Sequence, residues 1–241
     1  MAAKTKAKAT QPNKMVVKAW WIHTLYIVAL LFVIVKVYKQ VYDEKLYLGG
    51  DNAVYYINAK ALMQGKGYTN IHLPSQDPAN HYPPGYAFIS AGVLKVFGDS
   101  IEVMNKANGY FLFGSMVLLY FILIGLTDNK HLAFVITLLS ALNLHLLNFS
   151  TIAMSEIPFL FTSLAAVFFL MRVKKEEFSI KDYNFWLMLF FMMTSYYIRT
   201  AGLSLVGGVI LYFLFARNWK LAALVAGMFV SVSYTHLTLP T

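Results

Sequence analysis

Residues 80–98 read NHYPPGYAFISAGVLKVFG, and the fold turns on whether Tyr86–Phe97 crosses a membrane. As a helix this segment covers roughly 18 Å at 1.5 Å per residue, whereas a hydrocarbon core is about 30 Å thick. Tyr86, Ile89, Val93 and Phe97 fall on one helical face, which suits a helix lying along the interface. The flanking charges separate the two readings. With the segment outside, Arg172, Lys174, Lys175 and Lys181 share a cytoplasmic loop, and so do Arg217 and Lys220. With the segment spanning, both basic loops move outside, against the positive-inside rule. The sequence therefore predicts an external juxtamembrane helix.

The rest of the chain agrees. Of 241 residues, 59% are hydrophobic and 13% charged, about half the charged share of an ordinary soluble domain. The apolar residues come in long runs, predicting an all-α, polytopic helical membrane protein. Predicted spans are Trp20–Tyr38, Ile101–Leu126, Leu132–Phe149, Ile157–Met171, Phe185–Ile198, Leu203–Phe215 and Leu221–Val232. The net charge of +9 does not point to nucleic acid, because the basic residues lie at the N-terminus and between apolar runs. Lys4, Lys6, Lys8, Lys14 and Lys18 precede the first span with no acid among them, so residues 1–19 read as a cytoplasmic tail. Residues 20–232 form the membrane domain, with an external loop over 39–99. The closing residues 233–241 change character and resemble translated adapter sequence, so we expect a non-native tail and a longer parent chain. There is no cysteine, which excludes disulfides, thiolate metal sites and a cysteine nucleophile. No Walker-type or Rossmann glycine loop occurs, so an activated nucleotide is not the expected direct substrate.

The external loop carries the chemistry-bearing residues. Residues 47–70 read YLGGDNAVYYINAKALMQGKGYTN. Asp51 follows two glycines and opens a run with Val54, Ile57, Ala61 and Leu62 at helical spacing. Read alone, Asp51 is a helix N-cap, with Gly65 or Gly67 ending the helix; a cap also fixes a carboxylate at the membrane surface. Tyr55, Tyr56, Tyr68, Tyr82 and Tyr86 read mostly as an interfacial aromatic belt, with sugar stacking as the functional reading. Pro83-Pro84-Gly85 reads as a rigid turn into the juxtamembrane helix.

Further along, Glu156 opens the fourth span, where the helix dipole favours an acid and Ser155 is placed to cap. An acid at the mouth of a span also points to function. Arg199, between the fifth and sixth spans, either snorkels to the interface or meets a phosphate. The predicted topology puts Asp51, His81, Glu156 and Arg199 on one non-cytoplasmic face. His81 and His145 show no metal-binding spacing and read as hydrogen-bonded loop and helix residues.

Together these pieces resemble the membrane glycosyltransferases of the GT-C fold, family 39 type, which includes protein O-mannosyltransferases and bacterial aminoarabinose lipid A transferases. The resemblance runs over roughly Trp20 to Phe215. It rests on D-x-x-x-Y-Y at Asp51–Tyr56, G-K-G-Y at Gly65–Tyr68, Y-P-P-G-Y at Tyr82–Tyr86, K-V-F-G at Lys95–Gly98, S-E-I-P at Ser155–Pro158 and I-R-T-A-G-L at Ile198–Leu203. It implies catalytic acids at Asp51 and Glu156 and substrate contacts at His81, Tyr82, Tyr55 and Arg199. It also implies a polyprenyl-phosphate sugar donor, a lipid, glycan or protein acceptor, and a bacterial plasma-membrane location. A divalent metal at Glu156 or before the Pro-Pro pair stays open. Two departures leave the sugar open as well: Asn52 follows Asp51 where family members often carry Glu, and Tyr82 stands where aminoarabinose transferases carry a basic residue. The alternative is a membrane transporter or non-catalytic subunit, because charged residues within spans mark transport paths too.

Overall fold

The computed structural model describes residues 14–42, 49–174 and 181–238. The N-terminal part of the basic tail and the last three residues of the expected foreign tail lie outside the described residues. The described chain is helical, with no strand; one isolated bridge joins Thr69 to Pro78. The helices are α1 (Lys14–Val41), α2 (Asp51–Met63), α3 (Gly85–Phe97), α4 (Ile101–Thr127), α5 (Lys130–Ala141), α6 (Leu144–Ser150), α7 (Glu156–Leu170), α8 (Tyr183–Ile198), α9 (Gly202–Phe215) and α10 (Trp219–Thr238).

Two stretches, Trp20–Val41 and Ile101–Thr127, are each long and apolar enough to cross a bilayer. The run expected as one span at Leu132–Phe149 is instead two helices, α5 and α6, bent by 63°. Asn143 is the cause: its side chain accepts from the backbone N–H groups of His145 and Leu146. Asn is among the best N-caps, so a single polar residue starts a new helix inside an apolar run. Similar caps set the other boundaries. Ser100 accepts from Glu102 N at the start of α4, Asn129 from His131 N and Leu132 N at α5, and Asp182 from Asn184 N at α8.

α2 ends as its glycine predicts. Gly65 takes φ +73°, Gly65 N donates to Leu62 O, and Lys66 N donates to Ala61 O. These two bonds make a Schellman motif, whose left-handed residue is best supplied by Gly. At the other end of α2, Gly50 holds the N-cap position and Asp51 is the first helical residue. The expected N-cap role of Asp51 is therefore corrected: its carboxylate sits in the first turn, where the dipole favours it, and is left for other partners.

α3 is the short helix expected, but rotated. Its buried residues are Tyr86, Ala87, Ser90, Ala91 and Leu94, while Phe88, Val96 and Phe97 are exposed. The small residues allow close packing against neighbours, and the bulky ones are left to face outward. The residues read as one interfacial face are split: Tyr86 is buried and Phe97 is exposed. Gly85 explains the turn before α3: an added Cβ would lie 2.6 Å from the carbonyl carbon and oxygen of Tyr197 at the end of α8.

Three apolar clusters hold the helices. One joins α7 to α10 around Phe185, Met192, Val209 and Phe213. A second joins α1, α4, α6 and α7 around Ile34, Leu112, Leu147 and Ile157. The third fastens the loop helices to the spans, bringing Tyr55, Tyr86, Leu94, Met104, Ala153 and Ile198 together.

Gly85→Ala should destabilise by about 1–3 kcal/mol, the usual cost of overpacking, because backbone rather than a flexible side chain blocks the new methyl. Gly92→Ala in the same helix meets nothing within 4 Å and should stabilise by up to about 1 kcal/mol through helix propensity. Thermal unfolding of the two variants in one detergent checks the opposite signs.

Candidate active site

The site is built where α7 begins and α8 ends. Glu156 occupies the first turn of α7, and Arg199 is the C-cap residue of α8. The two helices pack against each other, so the positive end of one dipole and the negative end of the other meet at this junction. An acid on the first and a cation on the second complement both. Arg199 Nη1 lies 2.6 Å from Glu156 Oε1 and donates to Ser155 Oγ at 3.0 Å. Glu156 Oε2 is buried with no hydrogen-bond partner among the described residues.

Ser155 occupies the N-cap position of α7, yet it accepts no capping bond from that helix. Its fully buried hydroxyl instead meets Arg199 and, at 3.1 Å, the hydroxyl of Tyr55. Tyr55 is 3% exposed, so the aromatic-belt reading is corrected here: its ring is core and its hydroxyl ties α2 to α7. Tyr86, also fully buried, meets the Tyr55 ring edge-on with centroids 4.9 Å apart. Both were expected at the lipid interface. Composition could not separate the two outcomes, because an amphipathic ring satisfies either.

From Tyr55 the network continues to the loop. The rings of Tyr55 and Tyr82 lie 4.8 Å apart. The nearby carboxylate of Asp51 is the largest influence raising the Tyr82 phenol's pKa to about 12, with burial adding to it. A raised folded value means the contribution is complete below the ordinary tyrosine range near 10 and is lost as pH rises through about 12. The loop is fixed further by Tyr68, whose hydroxyl donates to Tyr82 O at 3.0 Å. His81 meets the Tyr82 ring edge-on at 4.4 Å. Asp51 and His81 are exposed, while Glu156 and Arg199 are partly buried. A cavity of about 800 Å³, lined by Tyr68, His81, Tyr82, Tyr196, Tyr197 and Thr200 among others, opens beside this loop.

α2 is braced from its far side. Lys60 Nζ lies 2.9 Å from Asp99, and the Tyr56 hydroxyl donates to the same carboxylate at 2.9 Å. Burial pushes the Asp99 carboxyl up, but the bonds from Lys60 and Tyr56 outweigh it and hold the group below its usual range. The brace is thus intact above that range and weakens as pH falls through the lowered value.

All six sequence-predicted site residues converge on this end of the bundle: Asp51, Tyr55, His81, Tyr82, Glu156 and Arg199. His145, in α6, is not part of the network. Ser155 is the central residue that sequence reasoning cast only as a cap; nothing in its local pattern signals partners on two other helices. Among the described residues, no three His, Cys, Asp or Glu side chains come together in a metal-ligand group.

The described chain is an all-helical membrane protein in which Asp51, Glu156 and Arg199 lie at one end of the bundle. The family follows from comparison with known proteins. The model described as dolichyl-phosphate-mannose-protein mannosyltransferase matches residues 21–240, and the chain belongs to that family. It is therefore an integral membrane protein of a glycosyltransferase family that draws on a lipid-linked sugar, which favours transfer chemistry over the transporter reading. Comparison with curated proteins and with solved structures gives no match.

Ser155→Ala removes the hydroxyl shared by Tyr55 and Arg199. It should lower turnover by about tenfold or more, since loss of a charged-group hydrogen bond is worth roughly 1.5–3 kcal/mol. Tyr55→Phe removes only one arm and should cost less. Steady-state kinetics on the two variants at equal expression test this order.

Proposed function

We propose that the chain transfers a mannosyl group from a polyprenyl-phosphate donor to an acceptor hydroxyl on the non-cytoplasmic face, the family description pointing to a protein hydroxyl. The observation that carries the reading is the contact path Tyr82–Tyr55–Ser155–Arg199–Glu156, with Asp51 close enough to Tyr82 to act on its phenol. It brings two acids and Arg199 together through side chains of four separate elements.

The chemistry follows from what each group has left to offer. Asp51 is exposed and lies near the phenol of Tyr82, which lines the cavity. It accepts the proton of the acceptor hydroxyl as the oxygen attacks the anomeric carbon. The bond from that carbon to the phosphate oxygen breaks, and its electron pair leaves on the polyprenyl phosphate with inversion at carbon. Arg199 uses Nη1 for Glu156 and Ser155; a guanidinium has five N–H donors, so others are available to the leaving phosphate. Glu156 fixes Arg199 through Oε1 and offers Oε2 to a sugar hydroxyl, a donor that would satisfy that orphan oxygen. Tyr82 and His81 form the wall against which the sugar stacks. The loop over residues 39–99 excludes water as a competing acceptor.

Orientation completes the proposal, with the N-terminus cytoplasmic and the loop outside. In this cysteine-free chain, His72→Cys and Lys220→Cys should react with an impermeant thiol reagent from opposite sides of the membrane. Labelling from the same side would overturn the shared-face assignment.

The catalytic test uses consumption of polyprenyl-phosphate mannose in membranes by the complete enzyme. Asp51→Asn keeps the side-chain shape and removes the base, so turnover should fall by about 10²-fold or more at unchanged expression. Glu156→Gln should also impair turnover. Near-normal transfer by well-inserted Asp51→Asn protein would remove Asp51 as the base.

A further inference from the structure

The turn that carries Ser155 and Glu156 is held from an unexpected place. Residues 151–155 link α6 to α7; of their carbonyls, Ile152 O accepts from Met154 N and Ser155 O from Phe159 N, while Met154 O has no helical partner because Pro158, four residues on, lacks an N–H. Two of them, Ile152 O and Met154 O, point at the same side chain: Asn108 Nδ2 donates to them at 2.7 and 2.8 Å. Asn108 is 1% exposed and lies about 10 Å along α4 from its first residue, at 1.5 Å per residue. Its Oδ1 accepts from the Tyr86 hydroxyl at 3.2 Å. The amide orientation is fixed by chemistry, because only the NH2 group can face two carbonyls.

We propose that Asn108 is the positioning residue of the site. From inside a span, it sets the turn that places Glu156 and Ser155 against Arg199 and Tyr55. The inference rests on the role given to Glu156 above. Asn meets the local demand in a way its neighbours in chemistry do not. Two carbonyl oxygens side by side require a neutral group with two donors. Asp sets a carboxyl against both carbonyls, and Leu leaves Met154 O unsatisfied and Ile152 O with Met154 N alone, costly where lipid replaces water. Ser donates only once, and Gln displaces the amide by a methylene. The Tyr86 hydroxyl holds the remaining oxygen, so the same amide also ties the start of α3 to the turn. Tyr86 in turn packs edge-on against Tyr55. Asn108 thereby locates both halves of the contact made at Ser155.

The test is a double-mutant cycle on turnover in the complete enzyme, using polyprenyl-phosphate mannose as donor. Asn108→Ala should lower kcat by about tenfold or more, the scale of a sub-ångström to 1 Å misplacement, with donor KM within about twofold. In a Glu156→Gln background, the same change should cost less than about threefold, because the group it positions is already gone. Val209→Ala, a core change in α9 of comparable effect on unfolding, should leave kcat near wild type. Should Asn108→Ala fail to insert, Asn108→Ser, which keeps a single donor, runs the same cycle. A purely structural Asn108 predicts additive losses in both backgrounds, and additivity overturns the inference while leaving Glu156 in place. Unchanged kcat in a folded Asn108 variant overturns it as well. A Glu156→Gln enzyme with normal turnover overturns the role of Glu156 itself, and this inference with it.

Discussion

The start of α7 beside the end of α8 is the contact on which the rest of the site depends. Two backbone dipoles of opposite sense meet there, and the Glu156–Arg199 pair occupies the position where both favour it. The pair is only partly withdrawn from solvent, with the side chains 26% and 37% exposed, so its value is organisational more than energetic. It fixes where a guanidinium faces the loop. Ser155 extends that fixed point to α2 through Tyr55, and Tyr55 extends it to the loop through Tyr82. α2 is thus tied to α7 and α8 through this hydroxyl, alongside the apolar cluster that seats α2 and α3 on α4 and α8.

Polar groups at this depth are affordable only because nearly every one has a partner. Asn108, Tyr86, Ser155 and Tyr55 are buried, and each makes a directed hydrogen bond. A satisfied network in a low-dielectric setting is rigid, since any rotation leaves a donor or carbonyl bare. Rigidity suits a site that must hold charge in place during transfer. Of the few unpartnered buried atoms, which include Asn58 Oδ1 and Asn105 Oδ1, Glu156 Oε2 lies at the point where a ligand is proposed to enter, which is where an unfilled requirement is expected.

Much of this was legible in the sequence, and the failures share a cause. Hydropathy gave the helical class, and the length of Tyr86–Phe97 gave a short helix there. Glycine chemistry gave the end of α2. Each of these signals is local: a run length, a residue type, a spacing. The break at Asn143 was missed because a hydropathy window averages over one capping side chain. The rotation of α3 was missed because volume, not hydrophobicity, decided its packed face: Ala87, Ser90 and Ala91 go in, and Phe88 and Phe97 stay out. Ser155 and Asn108 were invisible as site residues for a stronger reason. Their partners lie about 40 to 100 positions away in the chain, and no periodicity reports on that. The charged residues were found because a charge near a membrane is conspicuous wherever it stands.

The two acids divide the work because their surroundings differ. Glu156 has one oxygen committed to a cation and the other buried, so its geometry is set by the spans and by the turn beneath it. Asp51 sits at the first turn of a helix that reaches the bundle through side chains, faces the loop, and lies near the phenol of Tyr82. The proposed base needs access to solvent and no permanent counter-charge; Asp51 is exposed, whereas Glu156 is paired with Arg199. A group that orients an arginine needs a fixed position, which Glu156 has from Asn108, α7 and Ser155. In the proposed reaction the base is carried by α2 and the fixed charge by the α7–α8 junction, so an acceptor can enter on the first side while the leaving phosphate is held on the second. The hydroxyl of Ser155 is the narrow joint between those two halves, and its small size is what lets α2, α7 and the end of α8 meet at one point.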